Sequence, residues 1–399
     1  VPALALALVV TFLVWWGQGV EPASLPPAAM APPTPIAQRD LPKPAATRPD
    51  RVGSTEAAKD QSGKATASVP SVEAAPKPPP VVTVGAGEDL GAVLAAAPSG
   101  ATVILADAGP FDLRPESISR ISAVARPRRD LVLKAAPDVR PILRPARGGD
   151  PALGEAALLR FGSGRVVLEG LEFQLVDDER EDPLAAIFAD DTDLTLRRCL
   201  FRRPGMPDSS VRLAAVQVRA PARSNADEGR PAPVRIVDSH FDGGQVAVLA
   251  RGPATVELRD CTIGPATPAL WVEAAAWPAQ LRLQHVSIIA GEGAVFRFSR
   301  AAALVRVDDS VIASARYGEA TLVATDEPDR LDWHGWGNLY GGITTYLLLT
   351  RGQADAAPLR SFARWRDGTD EPREADSIAR EGHLWAENDP IAALTALDP

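Results

Sequence analysis

The sequence is short of the residues that usually announce a chemistry. Its four histidines, His240, His285, His334 and His383, are too scattered to form a zinc motif. Beyond Val81 there is a single lysine, Lys134, and the net charge of the chain is −9, which excludes a basic face for nucleic acid. Two cysteines, Cys199 and Cys261, allow at most one disulfide. The Asn-Gly and Asp-Gly pairs that turn β-hairpins hardly occur, Asp242-Gly243 excepted, which argues against a sandwich of antiparallel strands. The longest uncharged apolar run, VPALALALVVTFLVWW at the start, has sixteen residues, slightly short of the roughly 20 that span a bilayer as a helix.

What is present divides the chain into parts. Residues 1–17 form the apolar head, and Trp15 and Trp16 at its polar end suit a membrane interface. The chain opens with Val1 rather than methionine and reads as a fragment, so the head is expected to be a transmembrane anchor. A cleaved secretory signal is the rival, with an A-x-A match at Ala29-Met30-Ala31 that lies well past the apolar run; a soluble hydrophobic terminus is the third reading. The first two place the body outside the cytoplasm. Residues 18–80 are rich in Pro, Ala and Ser and cannot bury enough apolar surface to offset ordering, so they read as a disordered, rather stiff linker.

From Val81 onward one eight-residue cadence returns: VVLEGLEF (Val166–Phe173), LTLRRCLF (Leu194–Phe201), VRIVDSHF (Val234–Phe241), VELRDCTI (Val256–Ile263), LRLQHVSI (Leu281–Ile288) and VRVDDSVI (Val305–Ile312). Positions one and three are aliphatic, six is mostly small and eight is Phe or Ile. The alternation at one and three is that of a half-buried strand, and reaching positions six and eight on the same side requires a turn. Weaker copies start at Leu131 (LVLKAAPD) and Leu331 (LDWHGWGN). The last well-matched copies start at 234, 256, 281 and 305, and most are preceded by another short strand such as AAIFA, VAVLA, ALWVE or AVFRF. Three short strands per repeat of this length specify a parallel β-helix, whose coils share one core. A leucine-rich repeat lacks its consensus and asparagine ladder here, and a propeller needs a longer period.

On these residues, positions 82–340 resemble the right-handed parallel β-helix, or pectin-lyase-like, superfamily. The resemblance includes the opening GEDLGAVLAAAPSGATVIL (Gly87–Leu105), in which Asp89–Ala97 is expected as a short capping helix before a strand at Thr102–Leu105. The expected fold is therefore all-β: a right-handed parallel β-helix over 81–345 with a C-terminal cap over 346–399 that includes SFARWRD and LWAENDPIAALTALDP. The arrangement also resembles the extracytoplasmic tails of bacterial membrane Ser/Thr kinases, although no kinase motif lies in this chain.

The register makes a test of the cysteines. Cys199 and Cys261 share position six with Ser239 between them, so two coils, roughly 10 Å, would separate their backbones. A disulfide needs Cα atoms within about 7 Å. The expectation is an inward ladder of Cys199, Ser239 and Cys261 with no disulfide.

The resemblance implies that an active member would hold calcium with outer carboxylates and use an arginine or lysine to take a proton beside a uronate. The weak catalytic candidates are Asp177 and Asp178 in DDEREDP (Asp177–Pro183), and Asp190, Asp191 and Asp193 in DDTD. Solvation accounts for the first group and turn hydrogen bonds for the second, as turn formation does for Asp238, Asp260 and Asp309 at position five. The arginine signature R-x-P-x-x-R of the family is missing: FRRPGMP (Phe201–Pro207) ends in proline and RAPAR (Arg219–Arg223) is one residue short. VDSH (Val237–His240) only superficially matches a lyase element. No cofactor is expected, and Ca²⁺ only if the chain is a divergent lyase.

Binding candidates are Trp277, beside Pro278 in a loop, and the outward arginines Arg235, Arg282 and Arg306, which share position two with Glu257. Trp271, mid-strand, is expected inside the barrel, and Trp333 and Trp336 are expected to close the last coil. The reading is a membrane-tethered, non-enzymatic ectodomain that meets an envelope polysaccharide or partner protein. A divergent polysaccharide lyase or hydrolase and a purely structural spacer are the alternatives.

Overall fold

The computed structural model describes residues 78–118, 129–146, 155–175, 184–203, 213–220, 232–243, 246–275, 277–316, 318–350, 357–368 and 373–382. All belong to the compact unit Ala74–Pro399. The apolar head, most of the linker, Asp177, Asp178 and the final segment from position 383 lie outside the described residues. No described helix is long and apolar enough to cross a membrane.

The repeated octets stack as successive coils of a parallel β-solenoid. Three ribbons of strands build it. The first contains Leu131–Ala135, Pro233–Val237, Thr255–Arg259, Ala279–Gln284, Ala303–Asp308 and Leu331–Trp336, together with the C-terminal halves of the long strands Ala156–Glu169 and Leu184–Arg197. The second runs from Phe111–Leu113 through His240–Asp242 to Ile378–Arg380. The third holds the N-terminal halves of the two long strands, then Leu213–Arg219, Val246–Arg251, Leu270–Glu273, Gly293–Ser299, Ala320–Thr325 and Thr345–Leu349.

Position one forms a column through Val166, Leu194, Val234, Val256, Leu281 and Val305, and position three one through Leu168, Leu196, Ile236, Leu258, Leu283 and Val307. Both face the core, and Leu258 and Leu283 are each 0% exposed. Position eight stacks Phe173, Phe201 and Phe241, with ring centroids 4.9 and 4.7 Å apart and nearly parallel planes. Those separations equal the spacing of adjacent strands, so each ring rests on the one below.

The turn between positions four and six depends on a left-handed residue. Position five has φ between 50° and 54° at Arg198, Asp238, Asp260, His285 and Asp309. Gly170 and Gly337 occupy the same place in their coils with φ of 71° and 65°. Asp and Gly adopt this conformation most readily, which explains the column of aspartates without a metal. Position six then points inward and supplies acceptors for backbone amides left over at the turn. Cys199 N donates to Ser239 Oγ (3.2 Å), Val286 N to Ser310 Oγ (3.1 Å), Ser310 N to Asn338 Oδ1 (3.0 Å) and Asn338 N to Ser377 Oγ (3.0 Å). The Cys199 thiol donates to the Leu168 and Arg197 carbonyls at 3.6 and 3.5 Å, and the Cys261 thiol to those of Ile236 and Arg259 at 3.5 and 3.2 Å. Val286 offers no acceptor and interrupts the ladder.

Both ends are covered. At the start, helix α1 (Leu90–Ala96) is capped by Asp89, whose Oδ1 accepts from Ala92 N at 3.0 Å, and it buries Leu90 on the first coil. Arg129 donates to the carbonyls of Leu94 and Ala95 at 2.8 and 3.1 Å and satisfies its last turn. At the other end, helix α2 (Phe362–Asp367) lays the fully buried Trp365 edge-on against Trp333, ring centroids 5.4 Å apart. Strand pairing does not stop at the expected boundary of 345: Glu374–Ala375 and Ile378–Arg380 extend the first and second ribbons beyond the helix.

Three readings change. Val305 pairs with Trp333, so the last octet starts at Trp333, two residues later than expected, with Gly337 and Asn338 at positions five and six. In the coil that starts at Leu131, the residue in line with Phe173 is Leu143 rather than Asp138, because a longer turn intervenes. Trp333 does close the final coil, but Trp336 is 49% exposed on the outside. Residues three apart on a strand face opposite sides.

Candidate functional site

The third ribbon differs from the first in being covered on both sides. Ala185–Ala189 and Val246–Ala250 are buried at every position, not at alternate ones. Their outward residues form two apolar groups separate from the core: Ile118, Ala157, Ala185 and Phe188, and Ala214, Val246, Leu249 and Trp271. Trp271 is thus buried (7% exposed) but outside the barrel, in line with Leu249 and Arg297, which corrects its expected place in the core.

Guanidinium groups frame this surface. Arg219 lies 5.1 Å and Arg160 5.9 Å from the Phe188 ring centroid, and Arg297 lies 4.6 Å from that of Trp271. Arg219 donates to both oxygens of Asp190, at 3.1 and 2.5 Å. Arg251 grips Glu155 with both terminal nitrogens and donates Nε to Glu273 at 3.2 Å. Hydrogen bonding to Asp190 pushes the Arg219 guanidinium above its usual range, and Glu155 does the same for Arg251. Both are thereby made poorer bases.

Between Trp271 and the Arg251–Glu155 pair lies a small cavity of about 20 Å³. Gln217 lines it. Its side chain is in line with Phe188 and Leu249 and is 5% exposed, and its Nε2 has no hydrogen-bond partner among the described residues. Leaving a buried amide unpaired costs about 1–3 kcal/mol, and the adjoining cavity has room for one water-sized group to satisfy it.

The expected site residues are distributed over different surfaces. In DDTD, Asp190 is on the third ribbon with Arg219, whereas Asp191 makes the bend between ribbons at φ 48°. Asp193 is on the outer face of the first ribbon, accepting from Arg235 Nη1 at 2.9 Å with Arg165 Nε 3.8 Å away. They do not converge on one ion, and no group of three or more His, Cys, Asp or Glu among the described residues is placed to hold a metal. Asp238, Asp260 and Asp309 occupy left-handed turn positions, with His285 Nδ1 3.1 Å from Asp260 and Nε2 3.9 Å from Asp309.

Arg235, Glu257, Arg282 and Arg306 do form one column, continued by His334. Arg306 is bound to Asp308 at 2.9 Å, and Arg282 is exposed with no ion-pair partner among the described residues. Trp277, 49% exposed, stands in the turn before Ala279–Gln284. Cys199 and Cys261 are both buried free thiols. Desolvation pushes them up to about 12 and about 11, respectively.

Alternation alone could not reveal Gln217, Leu249 and Arg251. The available signal was its loss: AAVQV, VAVLA and LWV are apolar on both faces, as a covered parallel sheet requires.

No protein-family model matches the chain, and no curated protein matches it. Among solved structures, the A-module of the mannuronan C-5 epimerase AlgE4 from Azotobacter vinelandii is similar over 68% of this chain and 87% of that one, at 10% identity and a TM-score of 0.24. A likeness of that size carries no functional argument; the solenoid is established by its own strand register.

Proposed function

We propose that this chain is a membrane-tethered ectodomain whose solenoid holds a cell-envelope polysaccharide along the part-exposed rim of the third ribbon, at the Arg219–Asp190 and Arg251–Glu155 pairs, without converting it. The Gln217 amide, buried beside Trp271 and Arg251 with no hydrogen-bond partner among the described residues, carries the reading. Sugars are recognised by planar hydrogen-bonding side chains, and Arg219 and Arg251 supply these at the rim, above the buried rings of Phe188 and Trp271. The absence of turnover is supported by the carboxylates nearest the cavity: Asp190, Glu155 and Glu273 are each engaged by an arginine, and the two arginines are raised rather than lowered in pKa. The head of residues 1–17 would supply the tether, and a kinase domain upstream would make the solenoid its sensor.

The test is calorimetric titration of the chain with neutral and uronate oligosaccharides, run beside an assay for unsaturated or otherwise altered products. Binding that Gln217→Ala weakens about tenfold, with the sugar recovered unchanged, fits the proposal. Product formation lost on Arg219→Ala would favour a divergent lyase or hydrolase, and no binding at all a structural spacer.

A further inference from the structure

The first ribbon has an outer face that the third-ribbon cavity does not account for. Trp336 projects from it, half exposed, and its indole N–H donates to Asp376 Oδ2 at 3.1 Å. Asp376 is itself fixed at φ 52° in the next turn, so the ring is held in one orientation. An exposed Trp pinned by its polar edge leaves its apolar face free for a ligand. Asp308 pairs with Trp336 in the adjacent strand and holds Arg306 at 2.9 Å, which places that guanidinium one coil from the indole. Arg282 lies one coil farther, exposed and with no ion pair among the described residues, and Glu257 follows it in the next coil of the column. Coils repeat about every 4.8 Å, so Trp336 and Arg282 are separated by roughly 10 Å along the axis.

We infer that this face is a second glycan-binding site, in which Trp336 stacks on one pyranose ring and Arg282 takes the acidic group of a sugar farther along the same chain. The polymer lies parallel to the solenoid axis and advances about one ring per coil. Neutral hydroxyls suffice at Arg306, whose charge Asp308 already balances. Arg282 makes no ion pair among the described residues and so selects an anionic glycan, because a guanidinium not already bound to a carboxylate favours a carboxylate or sulfate over a hydroxyl.

The experiment titrates the full chain with oligouronates of two to six residues, a sulfated oligosaccharide and a neutral glucan, in low and high salt. Affinity for the acidic ligands is expected to rise with length up to about three or four residues, the span from Trp336 to Arg282. Trp336→Ala should lower it about tenfold for all ligands, with Trp336→Phe restoring most of it. Arg282→Ala should abolish the preference for acidic over neutral sugar and flatten the salt dependence. A stronger response to the sulfated or to the uronate arm tells which acid is preferred. Acidic oligosaccharides that bind Trp336→Ala and Arg282→Ala as well as the unaltered chain, or that fail to bind the unaltered chain, overturn the inference. Loss on Gln217→Ala alone would leave the third-ribbon reading standing and remove this one; loss on Trp336→Ala alone would do the reverse.

Discussion

Ser239 sits between Cys199 and Cys261 in the stack, with its Oγ accepting the Cys199 amide at 3.2 Å and donating to the Val237 carbonyl at 2.9 Å. The thiols do the same work in their own coils: Cys199 and Cys261 donate to the Arg197 and Arg259 carbonyls at 3.5 and 3.2 Å. Cysteine and serine are therefore interchangeable here. Cys261→Ser should change stability by no more than about 1 kcal/mol, whereas Cys199→Ala, which removes a buried thiol that donates to the Leu168 and Arg197 carbonyls, should lose about 1–3 kcal/mol in urea unfolding. Burial also predicts that neither thiol reacts with a disulfide reagent near pH 8 until the chain is unfolded.

Neighbouring residues on one strand should respond in opposite ways. Leu283 is fully buried and Arg282 exposed, so Leu283→Ala is expected to cost about 2–5 kcal/mol and Arg282→Ala within about 0.5 kcal/mol. Denaturant melts of both variants check this.

The C-terminal end is organised around Glu374, a carboxylate only 2% exposed. It accepts from Trp333 Nε1 at 2.6 Å, Tyr340 Oη at 2.5 Å, Ser377 Oγ at 2.8 Å and Asn338 Nδ2 at 3.2 Å. Its place exists because position three of this coil is Gly335: a Cβ there would lie 2.0 Å from Glu374 Oε2. Gly335→Ala and Glu374→Leu should each free the last coil, losing amide protection in hydrogen exchange at Leu339–Gly341 and Ile378–Arg380 while Leu194–Arg197 stays protected.

Burial pushes the His240 imidazole below its usual range, against the pull of Asp242. The folded state therefore disfavours the protonated ring. Stability from this group is present above the unfolded value near 6.5 and falls as the pH drops below it. His240→Asn should narrow the difference in melting temperature between about pH 7.5 and 5.5.

The core was legible in the sequence because positions one, three and eight repeat a burial pattern that one coil cannot satisfy alone. The shift of the last octet was not, because Leu331 and Trp333 are both apolar and two apart, so alternation fits either start. The turn decides it: Gly337-Asn338 matches the left-handed and ladder positions of Asp309-Ser310. The third-ribbon surface escaped for a different reason. When a strand is apolar on both sides, composition does not say which residues face inward, and Trp271 went to the wrong one. DDTD looked like one acidic group, but the bend at Asp191 sends Asp190 and Asp193 to separate ribbons.

The account rests on octets piled in register, and distances between spin labels along one outer column measure that directly. Thr102, Thr195, Arg235 and His334 share the column, with His334 four coils from Arg235, five from Thr195 and eight from Thr102. Electron–electron double resonance from a label at His334 should give narrow distributions near 19, 24 and 38 Å, about 4.8 Å per coil. Distances that do not increase in that order and by those steps would contradict the stack, and with it both proposed binding faces.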